Sequence, residues 1–184
     1  MIDLQHVSMA FGDKPVLSDL SLRFEAPGMY AVLGPSGRGK TTLLRLIAGL
    51  ERPQSGQISV HENVRIAFCF QEDRLLPWKT VLENVALAAP SEEDARRWLE
   101  RVGLGAECSA YPSSLSGGMK RRAALARALA YGGDILLMDE PFRALDADTH
   151  ASMLALVREA AKDKLLLLVT HDESDAENMQ IIRL

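Results

Sequence analysis

Cysteine is scarce: Cys69 and Cys108 are the only two thiols in 184 residues. They form neither a CxxC pair nor a metal-ligand spacing, so both read as free thiols of a reducing compartment. Positive charge is not in excess either. With 21 basic against 25 acidic residues the net charge is -4, and the chain as a whole has no electrostatic footprint for nucleic acid. The first residues, Met1-Ile2-Asp3-Leu4-Gln5, contain no basic segment followed by an apolar one, so no secretory signal is expected. The densest apolar run, Leu165 to Val169, falls far short of the roughly 20 residues that cross a bilayer. Repeats and low-complexity tracts are also absent. A cytoplasmic chain is expected, of one domain or of one domain with a small insertion, and any membrane role must come through a partner.

What is present is a hydrophobic fraction of 47% beside 25% charged residues, enough for a substantial core. Ile2-Asp3-Leu4-Gln5-His6-Val7 and Leu20-Ser21-Leu22-Arg23-Phe24 alternate apolar and polar residues, as half-buried strands do. Met29 to Leu33, Ile135 to Met138 and Leu165 to Val169 are instead continuously apolar, the pattern of parallel strands covered on both faces. Each is followed by a Gly-rich, acidic or His-containing segment and then, on this reading, by a helix. In such α/β folds ligands sit at the carboxyl ends of the parallel strands. From about Thr80 to Arg101 the period is helical: Val81, Leu82 and Val85 share a face, and Ser91-Glu92-Glu93 opens a second helix. The expected architecture is α/β: a parallel sheet, an antiparallel β edge and an inserted α-helical subdomain. Residues 1–80 and 116–184 are expected in the core, and 81–115 in the insertion.

Gly34-Pro35-Ser36-Gly37-Arg38-Gly39-Lys40-Thr41 satisfies the phosphate-binding pattern G-x-x-x-x-G-K-[ST] at every position. Glycines let the backbone fold round phosphates with N–H groups inward, and the next helix adds its positive end. Lys40 would reach the β- and γ-phosphates of ATP, and the Thr41 hydroxyl would hold Mg2+. A glycine-rich turn with a chance lysine is the bland alternative, arising in about one chain in a hundred of this length. The segment also stands between an apolar strand and a helix, Lys40 to Ala48, as the core of a P-loop NTPase requires. Ile135 to Met138 ends in Asp139 and Glu140. Beside a phosphate loop, Asp139 suits a Mg2+ ligand, direct or through water, and Glu140 a general base on the attacking water. Without that loop, the two acids would mark only the solvent boundary.

Leu115-Ser116-Gly117-Gly118-Met119 runs into a helix expected over Met119 to Ala130. It makes a second anion-binding helix N-terminus, or else a plain serine N-cap. One nucleotide has one γ-phosphate, so two phosphate cradles in one chain point to two copies sharing each nucleotide.

With these motifs in this order, the chain resembles an ATP-binding-cassette (ABC) ATPase, the nucleotide-binding domain of transporters, from Phe11 to His171. The resemblance implies that Gly34 to Thr42 is the P-loop, which brings Pro35, Ser36, Arg38 and Thr42 into the ATP contacts. It makes Gln71 the glutamine that contacts Mg2+ and the lytic water, and Leu115 to Gly118 the signature, with Ser116, Gly117 and Gly118 its nucleotide contacts. Ala144-Leu145-Asp146 becomes the D-loop and His171 the histidine that senses the γ-phosphate. Phe11 stands where an aromatic ring stacks on adenine. Taken singly, Phe11 reads as a core or turn aromatic, Gln71 as a solvated loop residue and His171 as a structural histidine. Arg121, Arg122 and Arg127 read as a solvated or salt-bridged helix face.

Gln71-Glu72-Asp73-Arg74-Leu75-Leu76-Pro77-Trp78, with Thr80 to Val85 and Met119 after the signature, is similar to importers of nitrate, sulfonates, taurine and thiamine precursors. That resemblance implies a homodimer closing head-to-tail over two ATP, membrane permease subunits and a solute-binding protein in the same system. The place implied is the cytoplasmic face of the cell membrane. Leu75, Leu76, Pro77 and Trp78 are expected as an exposed apolar partner surface beside Gln71, unless Trp78 anchors the insertion to the core. The alternative function is a soluble ABC-type ATPase acting on DNA or the ribosome, against which the acidic charge stands. A scaffold without hydrolysis is the third, against which Lys40, Asp139, Glu140 and His171 stand. The chain departs from the family pattern in a shortened stretch between Ser55 and Gln71, and in Arg38 and Arg143 where smaller residues are usual. It also stops soon after His171, so a terminal helix and a regulatory domain are expected to be absent.

Overall fold

A computed structural model describes residues 1–184. Strand β1 (Ile2–Phe11) pairs antiparallel with β2 (Lys14–Phe24) on one side and with β4 (Ser55–Val60) on the other. Its buried residues are Ile2 and Leu4, then Val7 and Met9. Strict alternation would turn the second pair to the opposite face. The ladder shifts between Leu4 and Val7, where His6 takes φ 52, and this bulge keeps all four in one core.

The second sheet is parallel throughout, in the order β5-β6-β7-β3-β8: β5 (Ile66–Cys69), β6 (Ile135–Asp139), β7 (Leu165–Val169), β3 (Gly28–Leu33) and β8 (Gln180–Arg183). Every residue of β6 and β7 is buried, and alternate side chains feed two cores. Ile135, Leu137, Leu165 and Leu167 join the antiparallel sheet and α1 (Lys40–Ile47) on one side. Leu136, Met138, Leu166 and Leu168 meet α4 (Gly117–Ala130) and α5 (Ala147–Ala160) on the other. Cover on both faces is why these strands are unbroken apolar runs. The expected α/β class holds, and the antiparallel strands form a sheet of their own.

Between β5 and α4 lie α2 (Val81–Ala86) and α3 (Glu92–Arg101), followed by two single 3-10 turns. Thr80 and Glu83 close a capping box on α2, and Ser91 caps α3. Both helices pack on α4. No helix is long and apolar enough to cross a membrane.

One expectation fails after Val169. A helix was expected there, but the chain makes one 3-10 turn, Glu173–Ala176, reverses through Asn178 at φ 61 and returns as β8. Four-residue strands such as β5 and β8 are too short for periodicity to tell them from helix.

Candidate active site

The carboxyl ends of the parallel strands share one level, because Cys69 pairs with Met138, and Asp139 and Val32 both pair with Val169. The loops that leave these ends form a cleft of about 420 Å³. It is lined by Phe11, Lys14, Val16, Ser36, Gly37, Gly39, Lys40, Thr41, Thr42, Gln71, Glu140 and His171. Gly34, Pro35 and Arg38 belong to the same loop but do not line the cleft.

Helix α1 begins at the floor of this cleft without a side-chain cap and without an acid in its first turn. The other four α-helices are capped by Thr80, Ser91, Ser116 and Asp146. The first N–H groups of α1 therefore lack the acceptor that its siblings have, the condition under which a helix end holds an anion. Gly39 makes this approach possible: its φ is 89, and a Cβ there would lie 2.8 Å from side-chain atoms of Val16 and Leu17.

Lys40 Nζ donates to the carbonyls of Gly34 at 2.6 Å and Pro35 at 2.9 Å, which arches the loop over its own lysine. Burial holds this ammonium below its ordinary pKa, against the opposing pull of the Glu140 and Asp139 carboxylates. Asp139 is buried, and its Oδ1 has no hydrogen-bond partner. Burial raises its carboxyl above the ordinary range, while a hydrogen bond from Thr41 opposes the rise. An orphaned carboxylate oxygen beside a hydroxyl is a fitting donor set for a hard divalent cation such as Mg2+.

Glu140 takes φ 47, an uncommon conformation for a residue with a side chain. Its N–H donates to Val169 at 3.0 Å, which ties the turn to β7. One carboxylate oxygen lies 2.5 Å from His171 Nε2, and the other accepts from Gln71 Nε2 at 3.3 Å. Three loops thus bring Gln71, Glu140 and His171 into one contacting group at the cleft wall, Gln71 by a hydrogen bond and His171 by a close N···O contact. Phe11, 51% exposed, sits at the cleft and not in the core.

Of the two readings of the α4 arginines, solvated or salt-bridged, the first fails and the second holds at Arg121, whose Nη1 lies 3.4 Å from Asp73 Oδ1. Arg121 is buried, and its guanidinium donates to the carbonyls of Phe70, Gln71, Asp139, Glu140 and Pro141 at 2.6 to 3.3 Å. Arg127 donates to Asp73 and Arg74, and Arg122 to Val102 and Gly103. Strand ends and tight turns leave carbonyls without ladder partners, and a buried guanidinium satisfies several at once. Nothing local in the sequence marked Arg121, since its partners lie up to 51 residues away.

Ser116, Gly117, Gly118 and Asp146 do not line the cleft. Helix α4 starts at Gly117, two residues before the expected Met119, and the Ser116 hydroxyl accepts from the Met119 N–H at 3.2 Å. A Cβ on Gly118 would lie 3.6 Å from Ala144 O and Leu145 Cδ2, so this helix start and the segment before Asp146 make one surface. Asp146 caps α5, and hydrogen bonds from Thr149 hold its carboxyl below the ordinary range.

The expected four-residue apolar patch narrows to two residues. Leu75 and Leu76 are half-buried, and Leu75 packs on the larger core; Pro77 is exposed and Trp78 is 70% exposed. Trp78 is therefore no anchor. Buried Asn84 holds the turn that presents it, accepting from Leu76 N–H and donating to Leu76, Lys79 and Thr80 carbonyls. Both cysteines are free, and burial raises the Cys69 thiol pKa, which makes it inert.

A family model described as ABC transporter matches residues 17–143. The aliphatic sulfonates import ATP-binding protein SsuB 1 of Paracoccus denitrificans is 46% identical over 184 residues, covering 95% of this chain and 74% of its own length. The protein of that name (SsuB) from Granulibacter bethesdensis is 47% identical, with 96% and 75% covered. Among solved structures, the dimeric post-hydrolysis state of the ATP-binding cassette MJ0796, bound to ADP and Pi, aligns with a TM-score of 0.90 at 30% identity. That alignment covers 100% of this chain and 94% of the other.

Proposed function

We infer, from a chain that belongs to the ABC transporter family, that this ATPase is the motor subunit of an importer. The observation that carries the reading is the cleft itself: an uncapped helix start with Lys40 at its floor, and the Gln71–Glu140–His171 group at its wall. Phosphates enter against the free N–H groups of α1, and Lys40 meets their outer oxygens. Thr41, Asp139 and Gln71 would hold Mg2+, which supplies positive charge against the phosphate oxygens. Glu140 accepts a proton from the attacking water at its carboxylate. His171 and Gln71 keep that carboxylate aimed, and the His171 ring meets the γ-phosphate. Phe11 offers a ring face for adenine.

The cleft is completed by a second copy. Ser116, Gly117 and Gly118 form the start of α4 outside the cleft, with Ala144 and Leu145 beside Gly118, and the dimeric cassette of similar fold supports this arrangement. Two chains closing head-to-tail would lay this helix start over the partner's nucleotide. Attachment to the cytoplasmic face of the membrane runs through permease subunits, which a solute-binding protein supplies. Relatives named for aliphatic sulfonates import support a sulfonate as the solute, recognised by those partners.

Mixing two damaged chains tests the shared site. Lys40→Ala and Ser116→Arg proteins should each hydrolyse ATP weakly. Mixed dimers contain one site with both halves intact, so turnover should return on mixing. A mixture that stays inactive, while Lys40→Ala mixed with wild type remains active, overturns the shared site. A Lys40→Ala protein with wild-type turnover overturns the P-loop assignment.

A further inference from the structure

Beside the Glu140–His171 contact lies a second cavity of about 240 Å³, lined by Phe142, His150, Thr170 and Asp175 among others. None of these four has a role in the chemistry described above. Asp175 is buried and grips two side chains with its two carboxylate oxygens. His150 Nε2 lies 2.5 Å from Oδ1, and Thr170 Oγ1 donates to Oδ2 at 2.5 Å. Thr170 Oγ1 also accepts from the Asp172 N–H at 3.1 Å. The residues on either side of His171 are thus tied, through one hydroxyl, to one buried carboxylate.

The other end of this chain of contacts returns to Glu140. His150 sits in the first turn of α5, and its ring stacks on buried Phe142 with centroids 5.0 Å apart. Phe142 follows Glu140 by two residues. Contacts therefore run from the Glu140 loop through Phe142, His150, Asp175 and Thr170 to His171, which meets Glu140 again at 2.5 Å. A carboxylate stays buried only when its hydrogen bonds are satisfied, and here its partners come from the first turn of α5 and from the segment after β7.

We propose that Asp175, held by His150, is a positioning residue that sets the turn carrying His171 against Glu140. This rests on the assignment of His171 to the γ-phosphate. Because α5 follows directly on Ala144 and Leu145, which lie beside Gly118, the His150–Asp175 contact also joins the partner-facing surface to the His171 turn. The side chain of Asp175 touches no part of the cleft and acts through Thr170 alone.

The chain has four histidines, so the ring signals of carbon-13 histidine-labelled protein can be separated, and His171→Ala identifies the signal of His171. Asp175→Asn should move that signal and lower kcat roughly 10- to 100-fold, the scale of a slightly misplaced catalytic group, with KM for ATP nearly unchanged. His150→Ala should do the same, and His150→Gln, which keeps a donor toward Asp175, should restore most of the turnover. If Asp175→Asn does not fold, Thr170→Ala carries the same expectation, because it cuts the link and leaves the carboxylate its His150 partner. A His171 signal that stays in place, or a loss of kcat no larger than the loss of folded protein, overturns the proposal. Wild-type turnover in His171→Ala would instead overturn the assignment of His171 itself.

Discussion

His171 Nε2 lies 2.5 Å from Glu140 Oε1, while Gln71 occupies the other oxygen of the same carboxylate. Glu140→Gln preserves the shape of this group and removes the base. Turnover should fall by at least roughly 100-fold, the lower range for a general base. ATP binding should remain, and an ATP-dependent dimer should accumulate on size-exclusion chromatography. Wild-type turnover in this variant would assign water activation to another residue.

Asp139 makes a pH prediction for the protein without magnesium and nucleotide. Burial raises its folded pKa, so it contributes stability below the ordinary carboxylate value, about 4, and loses it as the pH rises through the folded value. Asp139→Asn mimics the protonated form. It should melt above wild type at pH 7, and the difference should shrink as the pH falls toward 4. Magnesium with ATP should raise the melting temperature of wild type and not of the variant. Equal melting at pH 7, or a difference that does not change with pH, would contradict the buried unpartnered carboxylate.

Arg121 should support the fold and, through the loops it holds, the turnover. Arg121→Met fills the space but strips the donors from five carbonyls in the loops that hold Gln71 and Glu140. The expected cost is about 3 kcal/mol or more by urea denaturation. Turnover should fall even where the variant is fully folded. Arg122→Met, at the neighbouring position, removes donors from Val102 and Gly103 only and should cost about 1 kcal/mol. Similar losses in both variants would remove Arg121 from its special place.

Trp78→Ala tests the partner surface. A side chain 70% exposed contributes little to folding, so melting temperature and basal ATPase should stay near wild type. Assembly with the permease should weaken, by about 2 kcal/mol if Trp78 is a hot spot. Pull-down of the permease by wild type and variant reads this directly. Undiminished assembly would remove Trp78 from the interface.

The residues legible in sequence are those whose chemistry needs neighbours close along the chain. A phosphate-loop pattern places its glycines, lysine and hydroxyl within eight consecutive positions, so the match of Gly34 to Thr41 is visible in the sequence alone. The long apolar runs of β6 and β7 were legible for a similar reason, since cover on both faces leaves no polar position to break them. The failures follow the same logic. Arg121 looked like any basic residue on a helix, because burial and distant carbonyls leave no trace in its neighbours. Leu75 looked exposed because a four-residue apolar patch does not reveal which members turn inward. The segment after Val169 was read as helix because one 3-10 turn and a short strand are too brief to carry a period.

By itself, the sequence determined the α/β class, the order of the motifs and the match of Gly34 to Thr41 to a phosphate-loop pattern, since each rests on residues adjacent in the chain or on strand patterning. Tertiary structure alone decided which of those residues meet. Parallel register between β5, β6 and β7 ends the strands at one level, and only this brings Gln71, Glu140 and His171 together. It also decided that Ser116 to Gly118 do not line the cleft, and that Gly118 lies beside Ala144 and Leu145, the segment that precedes Asp146. The physical reason is range: backbone conformation and burial pattern are encoded over a few residues. Contacts across 69 positions, as between Gln71 and Glu140, depend on how the sheet stacks its strands.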